Sequence, residues 1–245
     1  MKKIFCKLAI MAFVIGISVA YFSSTGCSSY RHIKGDGNLV TSEKVVSTFE
    51  KIICTGFVEV RFHASEKYQV VVTVDANLDE YVEIFTQNNV LNIGTKRGYD
   101  YKFTKFSIDV YCPLLTNVSM SGSGRFAGVN KIIAPTFDAS VSGSGMVEGT
   151  IECDNFSGRI SGSGKITISG TSEYAKIVIS GSGNFNGNSF NAKNATVNVS
   201  GSGKANICVE DNIKANVSGS GGVNYCGEPS KVDTNVSGSG RIRKI

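Results

Sequence analysis

The tetrapeptide Ser-Gly-Ser-Gly occurs seven times between Ser121 and Gly240, starting at Ser121, Ser142, Ser161, Ser180, Ser200, Ser218 and Ser237. The steps between starts are 21, 19, 19, 20, 18 and 19 residues. A period that constant belongs to a chain that coils and stacks on itself, one motif per coil. Apolar residues flank the motif on both sides: Met120/Phe126, Val141/Val147, Ile160/Ile166, Ile179/Phe185, Val199/Ala205, Val217/Val223 and Val236/Ile242. Strand side chains alternate faces, so these columns and the two glycines share the inward parity and the two serines face out. The expected fold is all-β, a β-solenoid and most simply a parallel β-helix with coils of about 20 residues. A glycine column inside a strand weakens it unless the backbone bends or another part approaches closely. It is expected either to turn a corner or to admit large side chains such as Phe137, Phe156 and Phe190 from the opposite wall.

One coil cannot fold alone. Ordering about 20 residues costs on the order of 20–40 kcal/mol of backbone entropy, whereas each buried apolar side chain returns only about 1.5–3 kcal/mol. The remainder comes from neighbouring coils. Residues 116–245 form the regular repeats, and 46–115 read as less regular N-terminal coils. There Val58, Val60 and Phe62 alternate with Glu59 and Arg61, and Asn88-Asn89 marks a turn between two apolar runs. Residues 27–45 read as a polar tether. The charged run Arg241 to Ile245 reads as a cap on the open strand edge of the last coil, with a polyanion-binding tail as the alternative.

Residues 1–26 read as an export signal. Lys2, Lys3 and Lys7 form a positive start, and Leu8 to Phe22 is apolar and uncharged, too short for a spanning helix. Cys27 follows Ser24-Thr25-Gly26 in the manner of a lipobox, which predicts a lipid on Cys27 as the membrane contact; the alternative is simple cleavage. Removing the three lysines takes the formal charge from +5 to +2. A nearly neutral chain lacks the basic footprint of a nucleic-acid binder. The later cysteines are Cys54, Cys112, Cys153, Cys208 and Cys226. Their number is odd and no Cys-x-x-Cys occurs, so a disulfide framework or zinc site is not supported. Cys208 and Cys226 have a spacing that lets them face neighbouring coils, but all five are expected to behave as small hydrophobes.

Motifs for catalysis are lacking. The two histidines, His32 and His63, stand apart from any nucleophile elbow, and Gly-x-Ser-x-Gly is absent. The acids Asp138, Glu148, Glu152, Asp154, Glu173, Glu210, Asp211 and Asp233 fall in no single column. Apolar residues or alanine occupy the position where a calcium-binding turn carries Asp. No catalytic, cofactor or metal site is expected. The candidate is instead a surface strip. Ser121, Ser123, Ser142, Ser144, Ser161, Ser163, Ser180, Ser182, Ser200 and Ser202 form a hydroxyl ladder edged by Arg125, Lys165, Lys204 and Arg241. At about 4.8 Å per coil the strip runs about 30 Å. It suits a polysaccharide or other extended polyanion, or is simply a solvated face.

Phe49-Glu50-Lys51-Ile52 leading into Gly56-Phe57-Val58-Glu59-Val60 is similar to the opening of the head GIN domain family of putative auto-transporter adhesins. Ile108 to Leu115 running into Val118-Ser119-Met120 and the first tetrapeptide resembles that family's junction, and the later copies complete a match over about residues 46–245. The resemblance implies an exported β-solenoid of Gram-negative bacteria with a role in adhesion; together with the missing catalytic motifs, the leading reading is a non-enzymatic envelope or surface protein that binds a glycan or protein partner through its solenoid face. No catalytic or ligand residues come with the resemblance. With no room for a membrane barrel before Ile245, lipid on Cys27 is expected to hold the protein at the outer membrane, on the cell surface or the periplasmic side. Two further readings are a structural periplasmic envelope protein without a specific ligand and a β-helix enzyme acting on polysaccharide.

Overall fold

Alternation of Val, Ile and Phe with polar residues builds stacked parallel coils of about 19 residues, about 7 turns of them, in a chain that is 74% strand. The structure, a computed structural model, describes residues 31–245. The expected signal segment and Cys27 lie outside the described residues.

From Ile132 onward each extended segment spans most of a coil: Ile132–Gly143, Met146–Gly162, Lys165–Gly181, Asn184–Gly201 and Lys204–Gly219. Each stacks in parallel on the next, with the serine columns in register, Ser142 on Ser161, Ser180, Ser200 and Ser218. Coil length explains where the register slips. The step from Ser180 to Ser200 holds 20 residues and the next holds 18, and the segment between them carries irregularities near Gly187/Asn191 and Ala192/Asn194. The inward columns are buried as expected, among them Phe126, Val147, Ile166, Phe185, Ala205 and Val223. Phe156 packs edge-on against Phe190, with ring centroids 5.0 Å apart.

The tetrapeptide is a corner. Each first glycine has left-handed backbone, φ 111° at Gly143 and 114° at Gly181, a region L side chains disfavour. Of the two expectations for the glycine column, the corner holds, but the space is filled by the preceding coil's backbone at the first glycine and by Val, Ile or Met side chains with backbone at the second, not by phenylalanines. A Cβ on Gly143 would lie 2.8 Å from the Gly122 carbonyl oxygen of the preceding coil. That oxygen accepts a 2.9 Å hydrogen bond from Ser144 N–H, so the ladder continues around the bend. Of the two glycines only the second is fully buried; the first is partly open at the apex.

The N-terminal region departs from a pure parallel helix. Lys51–Gly56 and Glu59–Ala64 continue the stack in parallel beneath Asn117–Gly122 and Arg125–Gly128. Thr55-Gly56-Phe57-Val58 stands where the later coils carry the tetrapeptide, with Thr55 under Ser121 and Gly56 at φ 85°. Gln69–Asp75 runs antiparallel between Phe106–Cys112 and Leu39–Lys44. Val82–Gln87 and Val90–Thr95 form a hairpin through Asn88 and Asn89, at φ 51° and 62°. One 3-10 turn, Ala76–Tyr81, is present.

Two expectations are corrected here. Much of the stretch read as a tether is strand: Arg31–Lys34 pairs with Tyr99–Lys102, and Leu39–Lys44 joins the main sheet. Asp75 anchors this end, its buried carboxylate accepting from Gly37 N–H at 3.0 Å and Thr104 N–H at 2.8 Å. Cys208 and Cys226, expected as unpaired hydrophobes, form a disulfide between adjacent coils. Cys54 and Cys112 are buried free thiols, and burial pushes Cys112 up to about 12. At the far end, Arg241–Lys244 pairs in parallel with Gly222–Cys226 as the last strand, and Val232 and Val236 on the preceding strand are 46% and 42% exposed.

Candidate functional site

At the corner every serine of the expected strip is exposed, from Ser121 and Ser123 to Ser200 and Ser202. The cation column beside it runs in register as Arg125, Met146, Lys165, Asn184, Lys204, Gly222 and Arg241. The four cations do not act as a set. Arg125 is hydrogen-bonded to Glu148, which holds its guanidinium above the ordinary value, and Met146 separates it from Lys165. Lys165, Lys204 and Arg241 have no carboxylate partner among the described residues. Only Lys204 and Arg241 are brought to one hollow, of about 330 Å³, on either side of Gly222.

A larger concavity lies on the wall that leads into the corner, a groove of about 960 Å³. Outward positions of the stacked strands line it. One column is Thr136, Asn155, Tyr174, Asn194, Asn212 and Lys231; its neighbour is Asp138, Ser157, Lys176, Thr196, Lys214 and Asp233. Six coils at about 4.8 Å give a length of about 24 Å. Tyr174 is 59% exposed, with its ring open to the groove. Within the groove Asn212 donates to Asn194 Oδ1 at 2.7 Å, and the same Asn-to-Asn bond recurs outside it between Asn216 and Asn198 at 2.9 Å. Arg159, Lys176, Lys214 and Lys231 outnumber Asp138 and Asp233, and the one ion pair within the groove, Lys214–Asp233, is long at 3.8 Å. Sequence reasoning missed this groove because its residues differ from coil to coil; an exposed tyrosine among asparagines and lysines at coil spacing was the available signal.

Around the next bend Glu152, Asp154, Glu173 and Glu210 line a second hollow of about 570 Å³. The sequence had placed these acids in no single column, yet the fold gathers them on one face. Lysines engage two of them, Lys131 on Glu152 at 3.1 Å and Lys193 on Glu173 at 2.6 Å. His63 is held by Asp109 at 2.9 Å and stacked on Tyr111, while Arg61 binds the other oxygen of that carboxylate. Burial alone would raise Asp109, but the His63 and Arg61 donors hold it below the usual carboxylate range. Among the described residues no cluster of three or more His, Cys, Asp or Glu is placed to hold a metal ion, and no helix is long and apolar enough to cross a membrane.

Solved structures share this architecture. One is named a putative adhesin from Bacteroides fragilis, 22% identical, with a TM-score of 0.82 over 87% of this chain and 100% of that one. A second, named a putative adhesin from Parabacteroides distasonis, is 28% identical with a TM-score of 0.73 over the same shares. A third, from the same species and named a putative lipid binding protein, is 26% identical with a TM-score of 0.74, covering 88% of this chain and 100% of its own. No curated protein matches this chain. The family model described as putative auto-transporter adhesin, head GIN domain, matches residues 48–229, and the chain belongs to that family.

Proposed function

We propose that this protein is a non-enzymatic, exported adhesin that holds an extended acidic polysaccharide along the groove centred on Tyr174, and that a lipid on Cys27 tethers it to the outer membrane. The groove carries the reading. It is long, open and lined by rigidly spaced amides and hydroxyls, and its charge is positive on balance. A sugar ring presents an apolar face that suits an exposed tyrosine, and its hydroxyls suit Asn and Thr. Carboxylates along the chain suit Arg159, Lys176 and Lys231. The disulfide supports export, since such bonds persist in oxidising compartments.

The test is retention of the full-length protein on polygalacturonate, with neutral dextran as the control. The combined Tyr174→Ala and Lys176→Ala variant is expected to lose at least about tenfold in affinity, the scale of one charge-assisted contact, with an unchanged melting temperature. Equal retention of variant and wild type overturns the groove. Protease treatment of intact cells addresses location: cleavage supports surface display, whereas protection followed by cleavage after lysis favours a structural protein of the periplasmic envelope.

A further inference from the structure

The hollow at Gly222 is separate from the Tyr174 groove. Six members of the column beside the corner carry a side chain, and Gly222 alone leaves its place empty. Packing restrains that glycine less than it does the corner glycines. Its backbone is not left-handed, and a Cβ there would meet only the Arg241 carbonyl oxygen, at 3.3 Å. Gly222 differs in this from the corner glycines, where the preceding coil's backbone and Val, Ile or Met side chains already fill the space.

The vacated place is ringed by cations. Lys204 precedes Gly222 in the register and Arg241 follows it, so their backbones stand two strand steps apart, about 9.6 Å. Arg243 enters from the adjacent outward column, and Ser220 and Ser239 supply hydroxyls from the corner. No carboxylate lines the hollow; Glu228, near the chain end, is engaged by Lys244 at 2.5 Å. Asn224 donates one of its two amide hydrogens to Asn206 Oδ1 at 2.8 Å, which holds its side chain in place.

From this geometry we infer that the Gly222 hollow is a binding site for a tetrahedral oxyanion, a sulfate or phosphate ester carried on a polymer. Lys204, Arg241 and Arg243 line one hollow of about 330 Å³, and none of the three has a carboxylate partner among the described residues. The planar guanidinium forks of Arg241 and Arg243 bind two oxygens of one anion, and Lys204 binds as a point charge from the other side. A carboxylate is flat and offers two oxygens, so it engages fewer of these donors than a tetrahedral group does. The site stands whether or not the groove binds sugar.

The experiment measures binding of the full-length protein to dextran sulfate, with dextran as the neutral control and inorganic sulfate as the free ion. Gly222→Glu places a carboxylate among the three cations and is expected to weaken dextran sulfate binding at least about tenfold. Arg241→Gln is expected to act in the same direction should the glycine variant fail to fold. Inorganic sulfate is expected to shift the backbone amide signals of Gly221 and Val223 in the wild type and not in Gly222→Glu. If dextran sulfate binds Gly222→Glu and Arg241→Gln as tightly as wild type, the site is overturned. Polygalacturonate binding by the Gly222→Glu variant is expected to be unchanged, which separates failure of this site from failure of the groove.

Discussion

Cys208 and Cys226 are register partners on adjacent parallel strands, their Cα atoms 4.4 Å apart, and the disulfide between them closes a loop with a sequence separation of 18 residues. It clamps the penultimate coil to the one before it, close to the end where Val232 and Val236 lack a covering layer. Closing a loop of that length removes denatured-state entropy equivalent to about 3 kcal/mol. Replacing both cysteines with serine should therefore lower stability by about that amount in urea unfolding, and dithiothreitol should lower the wild type alone. Identical midpoints for variant and wild type would show that the clamp contributes nothing.

Asp75 gives stability a pH dependence. Burial on its own raises this carboxyl, but Thr104, through its N–H and side chain, and the N–H groups of Gly37 and Lys105 outweigh it, so the net shift is downward. A depressed folded value stabilises the fold above the unfolded value of about 3.9, and that contribution is lost as pH falls through the folded value. Asp75→Asn should cost about 1–3 kcal/mol at pH 7, the penalty for leaving buried donors poorly matched. The gap between variant and wild type should narrow at pH 3. A gap of constant size at both pH values would remove the carboxylate's charge from the account.

Gly181 tests the corner. Its φ is 114°, and a Cβ would fall 2.7 Å from the Gly162 carbonyl oxygen. Gly181→Ala should cost at least about 1–3 kcal/mol from backbone strain together with displacement of the neighbouring coil. Gly222→Ala, with ordinary backbone and one contact, should stay within about 0.5 kcal/mol of wild type. Thermal melts of the two variants give the comparison, and equal losses would contradict the distinction between corner glycines and the vacant column position.

The stack was legible because its determinants repeat. Val199 and Val217 sit where the alternation puts them, and the serines of the tetrapeptide are exposed at every regular coil. The coil at Thr55 was harder to see, since Phe57 and Val58 replace serine and glycine while keeping only the left-handed glycine between them and Thr55. Leu39–Lys44 was read as tether because its partner is an antiparallel strand some thirty residues away, a pairing that local alternation does not encode. The Cys208–Cys226 spacing matched one coil, but that alone does not distinguish a bond from two packed thiols. Tyr174 and Gly222 are single departures from their columns, so a period cannot announce them; only the stacked register shows what they stand beside.

The corner has one more consequence. Every coil enters and leaves it with the same backbone, hydrogen-bonded to its neighbour through glycine carbonyls. Duplicating or losing one whole coil therefore shifts everything beyond it by a single strand spacing, about 4.8 Å, and leaves each outward column on its own side. The reach of the protein's outer faces is set by integer steps, so lineages can lengthen or shorten them by recombination between repeats without having to reinvent the core.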